Sequence, residues 1–197
     1  NAAFFTIFYV PMVPIIIFIF KKDFLHWSVW PSVILCLIGG YLLTNFQDAT
    51  VRLGDTLVVL GALFWSTHII FTGMIIKKYN LPLTIGAIQT LQVALFSFII
   101  GLFSEEFVFD NILNEIDSIL YAGILSGGFA FVLQIYAQRN ITPAPAAIIF
   151  SLEGVFATIA AWFLLNQILG INNLLGCFFI LSGVLLSQLV PLIKKTT

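Results

Sequence analysis

Charge is scarce in this chain. Of 197 residues, 8 are Lys or Arg and 9 are Asp or Glu, 9% in all, where a soluble globular domain carries about 25%. That excludes an ordinary water-soluble domain, and nothing in the sequence resembles the basic patch a nucleic-acid binder needs. Cysteine is nearly absent. Cys36 and Cys177 both lie in apolar runs, which leaves neither a disulfide framework nor thiolate metal spacing. There is no Gly-rich phosphate loop of the kind an ATP-driven pump requires. There is also no Ser/His/Asp set and no cluster of metal ligands, so neither an enzyme nor a cofactor is expected.

What the chain does have is apolar length. It is 60% hydrophobic with a mean hydropathy of +1.10, the composition of an all-α polytopic membrane protein. Seven apolar spans are expected to be transmembrane helices: Ala2–Phe20, Trp30–Thr44, Thr56–Ile76, Thr84–Phe103, Ile119–Ala137, Pro145–Leu165 and Leu174–Ile193. They are continuous runs, not the alternating ten-residue strands of a membrane barrel. Asn1 leads directly into apolar sequence without a charged n-region, so this start is not read as a signal peptide. The chain is expected to be a piece of a longer protein whose beginning precedes Asn1.

The few charges are segregated. Alternating the loops puts Lys21, Lys22, Lys77, Lys78, Arg139, Lys194 and Lys195 on one side. The other side has Arg52 as its basic residue, with Asp48, Asp55, Glu105, Glu106, Asp110, Glu115 and Asp117. The positive-inside rule places the first set in the cytoplasm, with Asn1 outside and Thr197 inside. The segment Ser104–Ser118 mixes its acids with Phe107, Phe109, Ile112, Leu113 and Ile116. A solvated loop with apolar anchors is the favoured reading there, and a short interfacial helix the other.

A shift of 143 residues brings Ala3 onto Ala146, Pro11 onto Gly154, Ile16 onto Ile159 and Phe20 onto Phe163. It also brings Gly40–Leu43 onto Gly183–Leu186. Each copy is two helices joined by a turn, and the two turns fall on opposite sides. That is the pattern of an inverted-repeat transporter. The shift covers five spans, so two five-helix halves are expected: helices four to ten of ten, with residues 1–45 closing the first repeat and 54–193 forming the second.

Three segments carry a resemblance to the EamA-type permeases of the drug/metabolite transporter superfamily. The first is Leu53-Gly-Asp-Thr-Leu57 running into Gly61-Ala-Leu-Phe-Trp65. The second is Ala130-Phe-Val-Leu-Gln134 with Tyr136-Ala-Gln138 and Pro145-Ala-Ala147. The third is Ser151-Leu-Glu-Gly-Val-Phe-Ala157, with Gly176 and Gly183 after it. Gly154 stands where the family often has Pro, which the first half keeps as Pro11. Gln167 stands where it often has Glu, with Asp23 at the similar place in the first half. The resemblance implies a ten-helix carrier of the bacterial inner (plasma) membrane that moves small metabolites such as amino acids or drugs. Coupling to an ion gradient, protons included, or exchange is implied with it; homodimerisation is left open. A seven-helix receptor and a non-transporting membrane subunit are the alternatives. A retinal photoreceptor would need a lysine in its last span, and Leu174–Ile193 has none.

Glu153 is the sharpest candidate for a functional site. A charge at the centre of a span costs at least about 2.5 kcal/mol on the most lenient insertion scale, so it faces a partner or a wet path rather than lipid. Two roles suit it: acceptor for a proton or a substrate amine, or structural acid held by a neighbouring helix. Small residues surround it: Ser151, Gly154, Ala157, Thr158, Ala160 and Ala161, a pattern for close helix packing. Trp65, His68 and Thr72 share a helix face at i, i+3 and i+7, where they line a cavity or knit helices together. Gln89 and Gln92 pair on one span, Gln134 and Gln138 on the next, with substrate contact and helix packing as the competing roles. Tyr9 sits beside Pro11 and Pro14, which bend their helix as a hinge or a static kink. Gly39–Gly40 and Gly127–Gly128 are expected to permit close helix approach.

Overall fold

The structure, a computed structural model, describes residues 5–21, 25–44, 53–105 and 108–193. Asp23, Lys22, Asp48, Arg52, Glu106 and the basic tail Lys194–Thr197, all used in the charge and repeat arguments, lie outside the described residues, as do Ala2 and Ala3.

Among the described residues every regular element is a helix. We number them α1 (Tyr9–Lys21), α2 (Val29–Leu43), α3 (Leu53–Tyr79), α4 (Pro82–Ser104), α5 (Phe109–Asn114), α6 (Ile116–Ala137), α7 (Pro143–Leu165) and α8 (Ile171–Ile193). Five of them, α3, α4, α6, α7 and α8, are long and apolar enough to cross a membrane. At 1.5 Å per residue, the 13 residues of α1 and 15 of α2 reach roughly 20 Å, short of a hydrocarbon core of about 30 Å. The outward faces are apolar: Phe20, Phe64, Phe96, Phe103 and Phe163 are all exposed. In water that would be an aggregation surface; against lipid tails it carries no penalty. The chain is a multi-pass membrane protein.

Local chemistry sets the helix ends. Asn80 (φ 56°) closes α3 and Asn166 (φ 51°) closes α7 in the left-handed region, which Asn tolerates better than most residues. Pro82 and Pro143 each open a helix, where the missing N–H would have had no intrahelical partner. Thr142, before Pro143, is extended (φ −75°, ψ 153°), as the proline ring demands.

The structure corrects four sequence expectations. The first span is not one helix: a turn at residues 7–8 separates helical residues 5–6 from α1. Pro11 has no N–H for the Ile7 carbonyl, which instead accepts from Val10 N–H at 2.9 Å, three residues on. The sixth span is also broken, at Ser151. There the backbone N–H of Ser151 and its hydroxyl both reach the Ile148 carbonyl, at 3.2 and 2.6 Å, and Gly154 N–H reaches back to Ser151 O at 3.2 Å. These three-residue bonds tighten the chain by the side-chain competition that makes Ser a poor helix-interior residue. The segment after Ser104 is not all loop, since α5 occupies Phe109–Asn114 and α6 starts at Ile116, ahead of the expected Ile119. Gly127–Gly128 do not serve close helix approach. They lie in a π-helical stretch, Tyr121–Ala130, where a Cβ would meet only the carbonyls of Ala122 and Gly123, five residues back, at 3.3 and 3.4 Å.

The chain packs as two units. The first comprises residues 1–71 and 141–197, the second residues 72–140. In the first, α2 and α8 make the most extensive pairing, and glycines allow it. A Cβ on Gly39 would lie 2.6 Å from the Gly176 carbonyl, and one on Gly176 would lie 2.8 Å from the Gly39 carbonyl. Gly40 likewise admits Ile7, and Gly183 admits the Ser32 carbonyl. The core here includes Val10, Val13, Val33, Ala147, Ile148 and Ile180. In the second unit α4 packs on α6, with Gly86 accommodating Val132, over a small core of Ile76, Ile85 and Ile135.

Candidate functional site

The break before α1 and the break within α7 border a cavity of about 600 Å³ in the first unit. Its polar lining is Glu153 with the hydroxyl residues Thr6, Thr44, Ser151 and Thr158. Its apolar lining includes Ile7, Leu43 and Ile180. Each element presents these residues for a local reason. Thr44 ends α2; Ser151 is the turn within α7; Glu153 is in the first turn beyond it; and Ser151, Gly154 and Thr158 fall at i, i+3 and i+7, on one face.

Three of the hydroxyls have committed hydrogens. Ser151 donates to Ile148 O at 2.6 Å, Thr158 to Gly154 O at 2.8 Å, and Thr44 to Gly40 O and Tyr41 O at 3.1 Å each. A hydroxyl has one hydrogen and two lone pairs, so each of these oxygens remains an acceptor. Glu153 is exposed in the cavity. Among the described residues its carboxylate meets neither a hydrogen-bond donor nor a cation. Tyr9, 1% exposed, lies outside the lining, and its hydroxyl has no hydrogen-bond partner among the described residues. It is within electrostatic reach of Glu153 and Cys36. Cys36 is itself touched by the Ser151 hydroxyl at 3.4 Å.

The other candidates are placed elsewhere. Trp65 and His68 stack, with ring centroids 5.0 Å apart and planes 16° from parallel, in the same unit as Glu153 but not in the cavity lining. Thr72 and Gln89 belong to the second unit, where Gln89 Nε2 donates to Thr72 Oγ1 at 3.2 Å and ties α4 to α3. Gln89 Oε1 and Gln134 Nε2 are buried without a partner among the described residues. Gln92 is exposed on α4, and Gln138 is buried at the end of α6. In the sequence Ser151 and Thr158 stand out as packing residues around Glu153, and Thr6 and Thr44 do not stand out. The i, i+3, i+7 face around Gly154 was the legible signal. Thr6 and Thr44 come from other helices, and nothing local marks them.

The family model of the EamA-like transporter family matches residues 52–189. Across 195 residues, 96% of its length, the chain is 31% identical to an "uncharacterized transporter" of Archaeoglobus fulgidus. It is 27% identical over 160 residues (78% of the chain) to the "uncharacterized transporter YoaV" of Bacillus subtilis. The same identity holds over 166 residues (81%) to Protein WALLS ARE THIN 1 of Arabidopsis thaliana. These alignments cover 60%, 52% and 40% of the respective relatives, so the chain spans about half the length of the proteins it matches.

Proposed function

The chain belongs to the EamA-like transporter family, and on that premise we propose that it forms part of a secondary transporter moving small metabolites across the membrane by alternating access. The observation that carries this reading is the Glu153 cavity. A lone carboxylate without a partner among the described residues lies at a break in an otherwise apolar helix. Discontinuous helices at mid-membrane are where inverted-repeat carriers bind cargo and coupling ions. In this reading Glu153 takes up a proton or a cargo group on one side of the membrane and releases it on the other.

The same reading takes α1–α2 and α7–α8 as matching pairs from two five-helix repeats, divided as residues 1–45 and 54–193, with all seven long apolar segments crossing the membrane. Two features support it. The 143-residue shift carries Phe8, in the first break, onto Ser151, in the second; and α2 packs along its counterpart α8. The basic loops lie in the cytoplasm, by the positive-inside rule.

The test uses the natural full-length protein in proteoliposomes. A pH gradient is imposed and uptake of radiolabelled amino acids and related metabolites is followed, with Glu153→Gln in parallel. Flux that follows the gradient and is lost in the variant supports a proton-coupled carrier. Gradient-independent flux that survives in the variant takes Glu153 out of the mechanism. Absence of flux for every solute, from protein shown to be folded, counts against the transport reading.

A further inference from the structure

We infer that the Glu153 cavity binds the protonated amine of an amphipathic organic cation and discriminates against the same amine bearing a carboxylate; this rests on the site proposed above, but concerns what that site selects.

The hydrogens still available decide what the cavity can hold. Among the described residues the lining contains no Lys, Arg or His. The hydrogens of Thr44, Ser151 and Thr158 go to backbone carbonyls of their own helices. What these side chains offer a guest is oxygen lone pairs, together with the Glu153 carboxylate, which meets no donor among the described residues. A set of acceptors around one negative charge is complementary to a group made of donors around one positive charge. An ammonium is that group: three donors and no acceptor. Charge-assisted bonds of this kind are roughly twice as strong as neutral ones.

Size decides between an organic and an inorganic cation. Sodium or another hard ion would need its oxygen ligands drawn in to direct coordination distance. A space of about 600 Å³ lies within the roughly 300–1,000 Å³ of small-molecule sites. The rest of the wall is apolar, with Ile7, Leu43 and Ile180 beside Ala157 and Gly154. That wall suits the hydrocarbon body of an amphipathic amine. The carboxylate of an amino acid would face this wall and the oxygens of Thr44, Ser151 and Thr158, whose hydrogens are already committed. A buried polar group left unsatisfied weakens binding by roughly tenfold or more.

The test is direct binding to the purified full-length protein, kept separate from flux so that it can fail while the transport reading stands. The probes are phenethylamine, phenylalanine, 3-phenylpropionate and 2-phenylethanol, measured by calorimetry in choline-based and sodium-based buffers. Phenethylamine is expected to bind at least tenfold tighter than the other three, in both buffers. Glu153→Gln is expected to reduce that affinity at least tenfold. Because loss of the acid could disturb folding, Ala157→Leu is the second variant. It leaves every charge in place but narrows the cavity beside Glu153, and should also weaken phenethylamine binding at least tenfold while the melting temperature without ligand is unchanged. Equal or tighter binding of phenylalanine overturns the inference. So does phenethylamine binding that survives both variants, or no phenethylamine binding at all. A response to sodium in place of amine overturns it in favour of an inorganic cation.

Discussion

The α2–α8 contact gives the most quantitative prediction. Replacing Gly39 with Ala puts a methyl carbon 2.6 Å from the Gly176 carbonyl oxygen and 2.6 Å from Ile180 Cγ1. The isoleucine can rotate, but the carbonyl is fixed in its helix. Recovering ordinary contact at 3.4 Å moves the backbones apart by the difference, 0.8 Å. Overpacking of this kind costs about 1–3 kcal/mol, and Ala in place of Gly within a helix returns about 0.5–1 kcal/mol. The net expectation is a destabilisation of about 0–2.5 kcal/mol for Gly39→Ala, centred on about 1 kcal/mol. Gly176→Ala should behave alike, since its Cβ would sit 2.8 Å from both the Gly39 carbonyl and Leu43 Cγ. Gly61→Ala is the control: it is helical, and a Cβ there meets nothing within 4 Å. It should be neutral or slightly stabilising. One separation of the helices relieves both clashes, so the double variant Gly39→Ala/Gly176→Ala should cost clearly less than the sum of the singles. Thermal unfolding of the full-length protein in detergent reads all four. Gly39→Ala and Gly176→Ala melting no lower than Gly61→Ala would contradict a close α2–α8 contact at these glycines, and strict additivity would show that the two clashes are not relieved by the same movement.

Ile180 is fully buried, packs at Gly39 and lines the cavity, so Ile180→Ala should cost about 2–5 kcal/mol of stability by the same assay. Thr72→Val removes the acceptor for Gln89 Nε2; a double-mutant cycle with Gln89→Leu should give a coupling of about 0.6 kcal/mol, the average for such bonds in membrane proteins. Cys36 is fully buried and Cys177 half-buried, so in detergent a maleimide should modify Cys177 first and reach Cys36 only on unfolding, as mass spectrometry of the labelled peptides would show. Modification of both at equal rates in folded protein would contradict the packing of α2.

Composition and periodicity were enough to fix the helical, multi-pass character of this protein, because burial in lipid requires continuous apolar runs and leaves charges only at their ends. The long spans α3, α4, α6, α7 and α8 are legible for that reason, and so is Glu153, whose charge is anomalous within any such run. Gly39–Gly40 were legible as contact residues because small side chains in a membrane helix have few other uses. Gly127–Gly128 show the limit of that rule: the same dipeptide lies in a π-helical stretch where a Cβ would meet only carbonyls of its own helix, and the pair alone does not say which. The breaks at residues 7–8 and at Ser151 were hidden within apolar sequence, because hydropathy does not register a change of hydrogen-bond partner. Tertiary structure alone decided that Thr6 and Thr44, far apart in sequence, join Ser151, Glu153 and Thr158 around one cavity, and that Gln89 is spent on Thr72. A sequence states which side chains can donate or accept; which hydrogens are already committed depends on how the helices meet.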